Sequence, residues 1–187
     1  MKILDPACGS KMFWFNKHEP HTTYTDIRKE TLKIKDRNLT REVVINPDMV
    51  EDFTKLPYQD YEFKLIVFDP PHLIHAGRNS WLVKKYGRLD KETYQAKLHA
   101  GFEELWRVLA LDGTLLFKWS DSQIYFKEVL SCFDHKPILG DQRGHTRWFV
   151  FIKPNESETS SPSFLSVNEL REKGLNADKY YPKKVTQ

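Results

Sequence analysis

Three carboxylates in the amino-terminal part of the chain, Asp5, Asp26 and Asp69, each close an apolar run that reads as a strand. Asp5 is followed by Pro6-Ala7-Cys8-Gly9-Ser10, a glycine-containing turn whose backbone N–H groups can approach a ligand closely. Asp26 closes a second strand about 20 residues later, the spacing at which an acid accepts hydrogen bonds from ribose hydroxyls in doubly wound nucleotide sites. Asp69 opens Asp69-Pro70-Pro71-His72, directly after an apolar run. Two successive prolines fix φ and delete two N–H donors, so this turn is rigid and presents carbonyls outward. The Asp69 carboxylate and the Pro70 carbonyl can both accept from one planar NH₂ group, a grip that aims its nitrogen at an electrophile.

Other side chains could serve an acceptor. Between Arg78 and Lys91 the chain carries Arg78, Lys84, Lys85, Arg88 and Lys91 against the single acid Asp90, with Trp81 and Tyr86 among them. That mixture suits phosphate contact and base stacking, and it equally describes a solvated surface loop. Lys118 and Trp119, at the end of a later strand, are expected to face the same pocket, a buried core tryptophan being the alternative for Trp119. His72 and His75 form a pair without a third ligand nearby in sequence, so no metal site is predicted.

The elements that must hold these residues alternate between short apolar runs and helical patterns, the mark of an α/β fold. Strands are expected before Asp5, at 22–27, 63–69, 113–120 and 146–153, with weaker candidates at 50–57 and 136–140. Residues 63–69 read as a strand buried on both faces, as in a parallel sheet. From Lys91 to Leu109 apolar residues fall at Tyr94, Leu98, Phe102, Leu105 and Leu109, one face of a helix laid on a sheet. A second helix is expected over 122–133, and residues 32–45 read as a hairpin insertion with Asn38 near its tip.

At 187 residues the chain has room for one domain with a real core. Its 40% hydrophobic and 29% charged residues are ordinary for a soluble globular protein, and a net charge of +3 shows no general attraction to nucleic acid. There is no signal-peptide pattern and no run near the roughly 18 apolar residues of a membrane helix, so a membrane partner is not expected. Cys8 and Cys132 make no disulfide framework, and a reducing cytoplasm is the expected address. After residue 153 the composition turns polar, giving a catalytic domain over 1–153 and a linker and tail over 154–187 with a possible short helix at 164–175.

Taken together, the Asp-Pro-Ala-Cys-Gly-Ser turn, the acidic end of the second strand and Asp-Pro-Pro-His resemble class I S-adenosylmethionine-dependent methyltransferases. Within them the chain is most similar to amino-methyltransferases of nucleic-acid bases, adenine N6 above all, and to the small forms found in phages and prophages. The resemblance covers about residues 2–153. It implies a Rossmann-like, doubly wound, mostly parallel seven-stranded sheet with one antiparallel strand near the C-terminal end. It implies S-adenosyl-L-methionine as cofactor, with Asp5, Ala7, Cys8 and Gly9 near its methionine part, Asp26 on the ribose, Ile27 on the adenine, Asp52 accepting from the adenine amino group and Phe53 beside the ring. Asp69, Pro70, Pro71 and His72 would form the catalytic turn. Substrate contacts would come from Trp81, Lys84, Lys85, Tyr86, Arg88, Lys118 and Trp119.

Two residues depart from the family pattern. Lys11 stands where a glycine is usual, and its side chain would either point outward or meet the cofactor carboxylate. His72 replaces an aromatic residue that stacks on a flipped base. With only the 32–45 insertion, the 73–90 loop and the tail to spare, strict reading of a long duplex site is not expected. A structured RNA, a loosely read DNA site or a specificity-supplying protein partner stays open. So do a protein or small-molecule amine as acceptor, and a silent methyltransferase-like binding module.

Overall fold

The computed structural model describes residues 1–36, 39–77, 80–141 and 144–155, with the backbone alone for Lys35 and Asp36. Residues Met1–Lys153 make one compact unit. The linker and tail expected after residue 153 lie, beyond Asn155, outside the described residues, as does the hairpin tip at Asn38.

Seven strands form the main sheet: β1 (Ile3–Asp5), β2 (Thr22–Asp26), β5 (Met49–Val50), β6 (Phe63–Phe68), β7 (Leu109–Ser120), β8 (Leu139–Gly140) and β9 (Thr146–Ile152), in the order β5-β2-β1-β6-β7-β9-β8. The pairs β2–β5, β1–β2, β1–β6 and β6–β7 are parallel, while β9 runs antiparallel to both β7 and β8. This is the mostly parallel, Rossmann-like sheet with one reversed strand that the sequence predicts. The short central strand β1 is fully buried, consistent with an element covered on both faces. Chain order reverses on either side of it, so the crevice at the carboxyl ends of β1, β2 and β6 is the natural ligand position.

Among the described residues, three helices accompany the sheet: α1 (Trp81–Tyr86), α2 (Tyr94–Val108) and α3 (Phe126–Leu130). On α2, Tyr94, Leu98, Gly101, Phe102, Leu105 and Val108 are buried, the face the sequence spacing predicts. Phe102 stacks on Phe133 at 4.1 Å between centroids and meets Phe151 edge-on at 5.0 Å, within a largely aromatic core. Truncating such a ring to alanine costs about 3–5 kcal/mol.

Several boundaries differ from expectation. The helix sought at 122–133 is the single short turn α3. The candidate strand at 50–57 shrinks to Met49–Val50. β7 starts at Leu109, directly after α2, and the Asp112-Gly113 turn becomes an irregularity inside it, with Asp112 at φ 54° and a register shift against Phe63 and Leu65. The basic loop contains α1, which its apolar spacing did not announce. The insertion is a hairpin, β3 (Glu30–Asp36) paired antiparallel with β4 (Leu39–Ile45), in a two-stranded sheet of its own. No helix among the described residues is long and apolar enough to cross a membrane.

Candidate functional site

The carboxyl ends of β1, β2 and β6 surround a cavity of about 220 Å³. Ala7, Cys8 and Gly9 of the first turn line it, with Asp26 and Ile27 from the end of β2, Phe53, and Asp69 and Pro71 from the turn after β6. From the basic segment, Lys85, Tyr86 and Arg88 reach the same cavity. The topology thus brings together most of the side chains singled out in the sequence.

Asp5 lies behind this wall, with no solvent exposure. The Trp14 Nε1–H donates to its Oδ2 at 2.7 Å, and its Oδ1 is buried without a hydrogen-bond partner. Burial pushes the carboxyl up to about 7, opposed by the indole bond. Burial and the neighbouring Asp5 also raise the Cys8 thiol, so it stays protonated and inert. The loop closes on Asp26, whose Oδ2 accepts from the Gly9 N–H at 2.9 Å and whose Oδ1 accepts from the Arg28 N–H at 2.9 Å. Gly9 sits at φ 50°, and a Cβ there would meet nothing within 4 Å, so the turn leaves open space on its cavity side. An orphaned buried carboxylate oxygen beneath the wall, a bare glycine cradle and an acid at the end of β2 suit a nucleoside carrying a cationic amino-acid tail.

Lys11 adopts φ 54°, the left-handed conformation of the glycine it replaces. It takes neither expected direction. Its ammonium is buried 3.7 Å over the Tyr24 ring and donates to the Lys17 carbonyl at 3.3 Å, away from the cavity.

Phe53 forms part of the cavity wall and meets Phe68 edge-on at 5.2 Å. Its neighbour Asp52 stands off the cavity. Oδ1 accepts from the Thr54 N–H and hydroxyl, and Oδ2 from Lys97 at 3.1 Å. Lys97 lines the cavity in its place, so this corner presents an ammonium beside the ring.

At the turn after β6, Lys118 Nζ donates to Asp69 Oδ2 at 2.5 Å and leaves Oδ1 for another donor. Phe13 and Trp148 flank that ammonium, with ring centroids at 5.7 and 5.9 Å. Burial raises the Asp69 carboxyl, while the Lys118 charge and His72 oppose it. His72 is held below its ordinary value by burial and is therefore neutral near pH 7, with its ring 5.9 Å from Tyr86 and 6.2 Å from Trp119. Trp119 itself is core. It is 1% exposed, and its Nε1–H donates to the Ile124 carbonyl at 3.0 Å. Adjacent residues on a strand point to opposite faces, so Lys118 and Trp119 cannot share one pocket.

Pro71 is pressed against the end of α1, where a Cβ on Gly87 would lie 2.9 Å from the proline Cγ; Gly87 also has φ 77°. Arg28 joins β2 to the same helix, donating to the Lys84 carbonyl at 3.1 Å with its Nε 3.5 Å from Asp26. Trp81 faces a second cleft rather than this cavity. Sequence reasoning missed Trp14, Met12, Phe13, Arg28 and Lys97. The aromatic run at 13–15 after the glycine turn was the available signal for the first of them.

No protein-family model matches the chain, and no curated protein is similar to it in sequence. Among solved structures, the PH0226 protein from Pyrococcus horikoshii superposes with a TM-score of 0.50 at 16% identity, over 82% of each chain. A SAM-dependent methyltransferase from Methanosarcina mazei has a TM-score of 0.48 at 12% identity, over 83% of this chain and 93% of that one. A SAM-dependent methyltransferase from Leishmania major has 0.45 at 12% identity, over 81% of this chain and 64% of that one. At such identities the likeness is one of fold.

Proposed function

We propose that this protein is an S-adenosylmethionine-dependent N-methyltransferase acting on an exocyclic amine of a nucleobase, adenine N6 being favoured, in DNA or RNA. The observation that carries the reading is Asp69, on the wall of the cavity that the Gly9 turn and Asp26 also line, with Oδ1 open to a donor. When bound, the cofactor supplies an electrophilic methyl group on a sulfonium.

Asp26 and the Ala7–Gly9 turn would hold the ribose and the amino-acid tail, with Ile27 and Phe53 beside the base. Asp69 Oδ1, with the Pro70 carbonyl of the same turn, would accept from the two amine hydrogens and so orient the nitrogen for attack. On transfer the acceptor nitrogen would turn positive and then shed one of its two protons, which the Asp69 carboxylate is placed to take up. The carboxylate stabilises that charge more in the transition state than in the ground state. Tyr86, which lines the cavity with the His72 ring 5.9 Å behind it, would offer an aromatic surface for the base.

The test is incubation with methyl-labelled S-adenosylmethionine and separate DNA, RNA and protein pools, followed by mass spectrometry of the nucleosides. Methylated adenosine or deoxyadenosine that disappears with Asp69→Ala is the expected result. Label confined to protein, or transfer indifferent to Asp69→Ala, would overturn it.

A further inference from the structure

The hairpin β3–β4 packs against α1, and between them lies a second cleft of about 400 Å³. Ser10, Met12 and Lys85 line both this cleft and the first cavity, so the two adjoin and one extended ligand can enter both. One wall carries the aliphatic Ile34 and Val43, on the hairpin face they share with Arg41; the other carries Trp81, which is 43% exposed although its residue type usually seeks burial. Among the charged residues of the lining, Lys17, Arg41 and Lys85 outnumber the single acid Glu42.

Resting on the nucleobase reading above, we propose that this cleft binds the nucleotide adjoining the target in a single-stranded stretch of nucleic acid. Its base would lie between Trp81 and the aliphatic hairpin wall, and its phosphate against Lys17 and Lys85. A cleft that sets an exposed indole and aliphatic side chains beside Lys17, Arg41 and Lys85 matches an anionic occupant with a flat apolar part. The cleft is fixed by residues that also shape the first cavity. Arg28 anchors α1 to the end of β2, and Ser80 Oγ accepts from the Leu82 N–H at the start of the helix. The distance between target and neighbour is thereby set by the fold. The hairpin becomes the element that reads sequence context.

Fluorescence anisotropy with labelled single-stranded DNA and RNA oligonucleotides of about ten residues, over a range of salt, tests this. Trp81→Ala should weaken binding about tenfold, with Trp81→Phe recovering most of it, as stacking requires. Lys17→Glu should lower the affinity and flatten the salt dependence, because fewer counterions are released. S-adenosylmethionine affinity by calorimetry should be unchanged in these variants, since neither residue lines the first cavity. Oligonucleotide affinity equal to wild type in both Trp81→Ala and Lys17→Glu overturns the cleft assignment, while Asp69-dependent methylation in the same protein leaves the nucleobase reading standing. A wild-type protein that binds neither strand, or binds an unrelated basic-patch ligand such as heparin as well after Trp81→Ala but never an oligonucleotide, overturns both.

Discussion

The ammonium of Lys118 lies 2.5 Å from Oδ2 of Asp69, so the rise that burial imposes on this carboxyl is opposed chiefly by one cation from the neighbouring strand. The other titratable groups in its surroundings are His72 on the same turn and Asp5 at the end of β1. Lys118→Met removes the cation and should raise the Asp69 carboxyl further. In the proposed mechanism the ionised carboxylate is the active form, so the acidic limb of the kcat–pH profile should move to higher pH, with Lys118→Arg restoring it. An unshifted limb in Lys118→Met, measured in single turnovers, would detach the lysine from the chemistry.

Asp5 gives a stability prediction with a definite sign. Its carboxyl titrates near 7 in the fold and near 3.8 when exposed, so the folded state holds a proton that the unfolded chain releases. The stability tied to this group is full below about pH 4 and is lost as pH rises through 7. Asp5→Asn keeps an acceptor for Trp14 and removes the titration. The ligand-free variant should melt above wild type at about pH 8, by up to about 4 kcal/mol, and match it more closely near pH 5.

Gly101 lies inside α2, where alanine would normally help by about 1 kcal/mol. A Cβ there would meet the Phe53 ring at 2.4 Å, so packing decides against propensity. Gly101→Ala should lower Tm and ligand affinity together, because Phe53 also lines the cavity. Phe53→Leu in the same chain should recover part of the lost stability, measurable as a coupling energy in a double-mutant cycle.

Asp26 holds the Gly9 turn and Arg28 while facing the cavity. Asp26→Ala should therefore weaken S-adenosylmethionine binding by about 1–3 kcal/mol and also lower Tm. Arg28→Ala, which frees α1 without removing the carboxylate, should affect nucleic-acid binding more than cofactor binding. Calorimetry with each ligand separates the two.

What the sequence made legible was whatever local spacing encodes. Asp5, Asp26 and Asp69 sit where strand ends place them, and the α2 face follows from its apolar period. Residues whose roles depend on distant partners were opaque. Trp14 matters because β1 brings Asp5 beneath it, and Asp52 turns from the cavity because Lys97 on α2 claims it. Lys11 fills a glycine's conformation because Tyr24, on the next strand, offers a ring for its ammonium. Helix α1 is too short for an apolar period to register and is held by Ser80, Arg28 and the Pro71–Gly87 contact.

Among the described residues, the hairpin β3–β4 shares no strand pairing with the seven-stranded sheet. A change along Leu39–Val44 can therefore alter one wall of the second cleft without disturbing the register that places Asp5, Asp26 and Asp69. Substitutions in this ribbon can reshape the second cleft while the turns that carry Asp26 and Asp69 stay as they are.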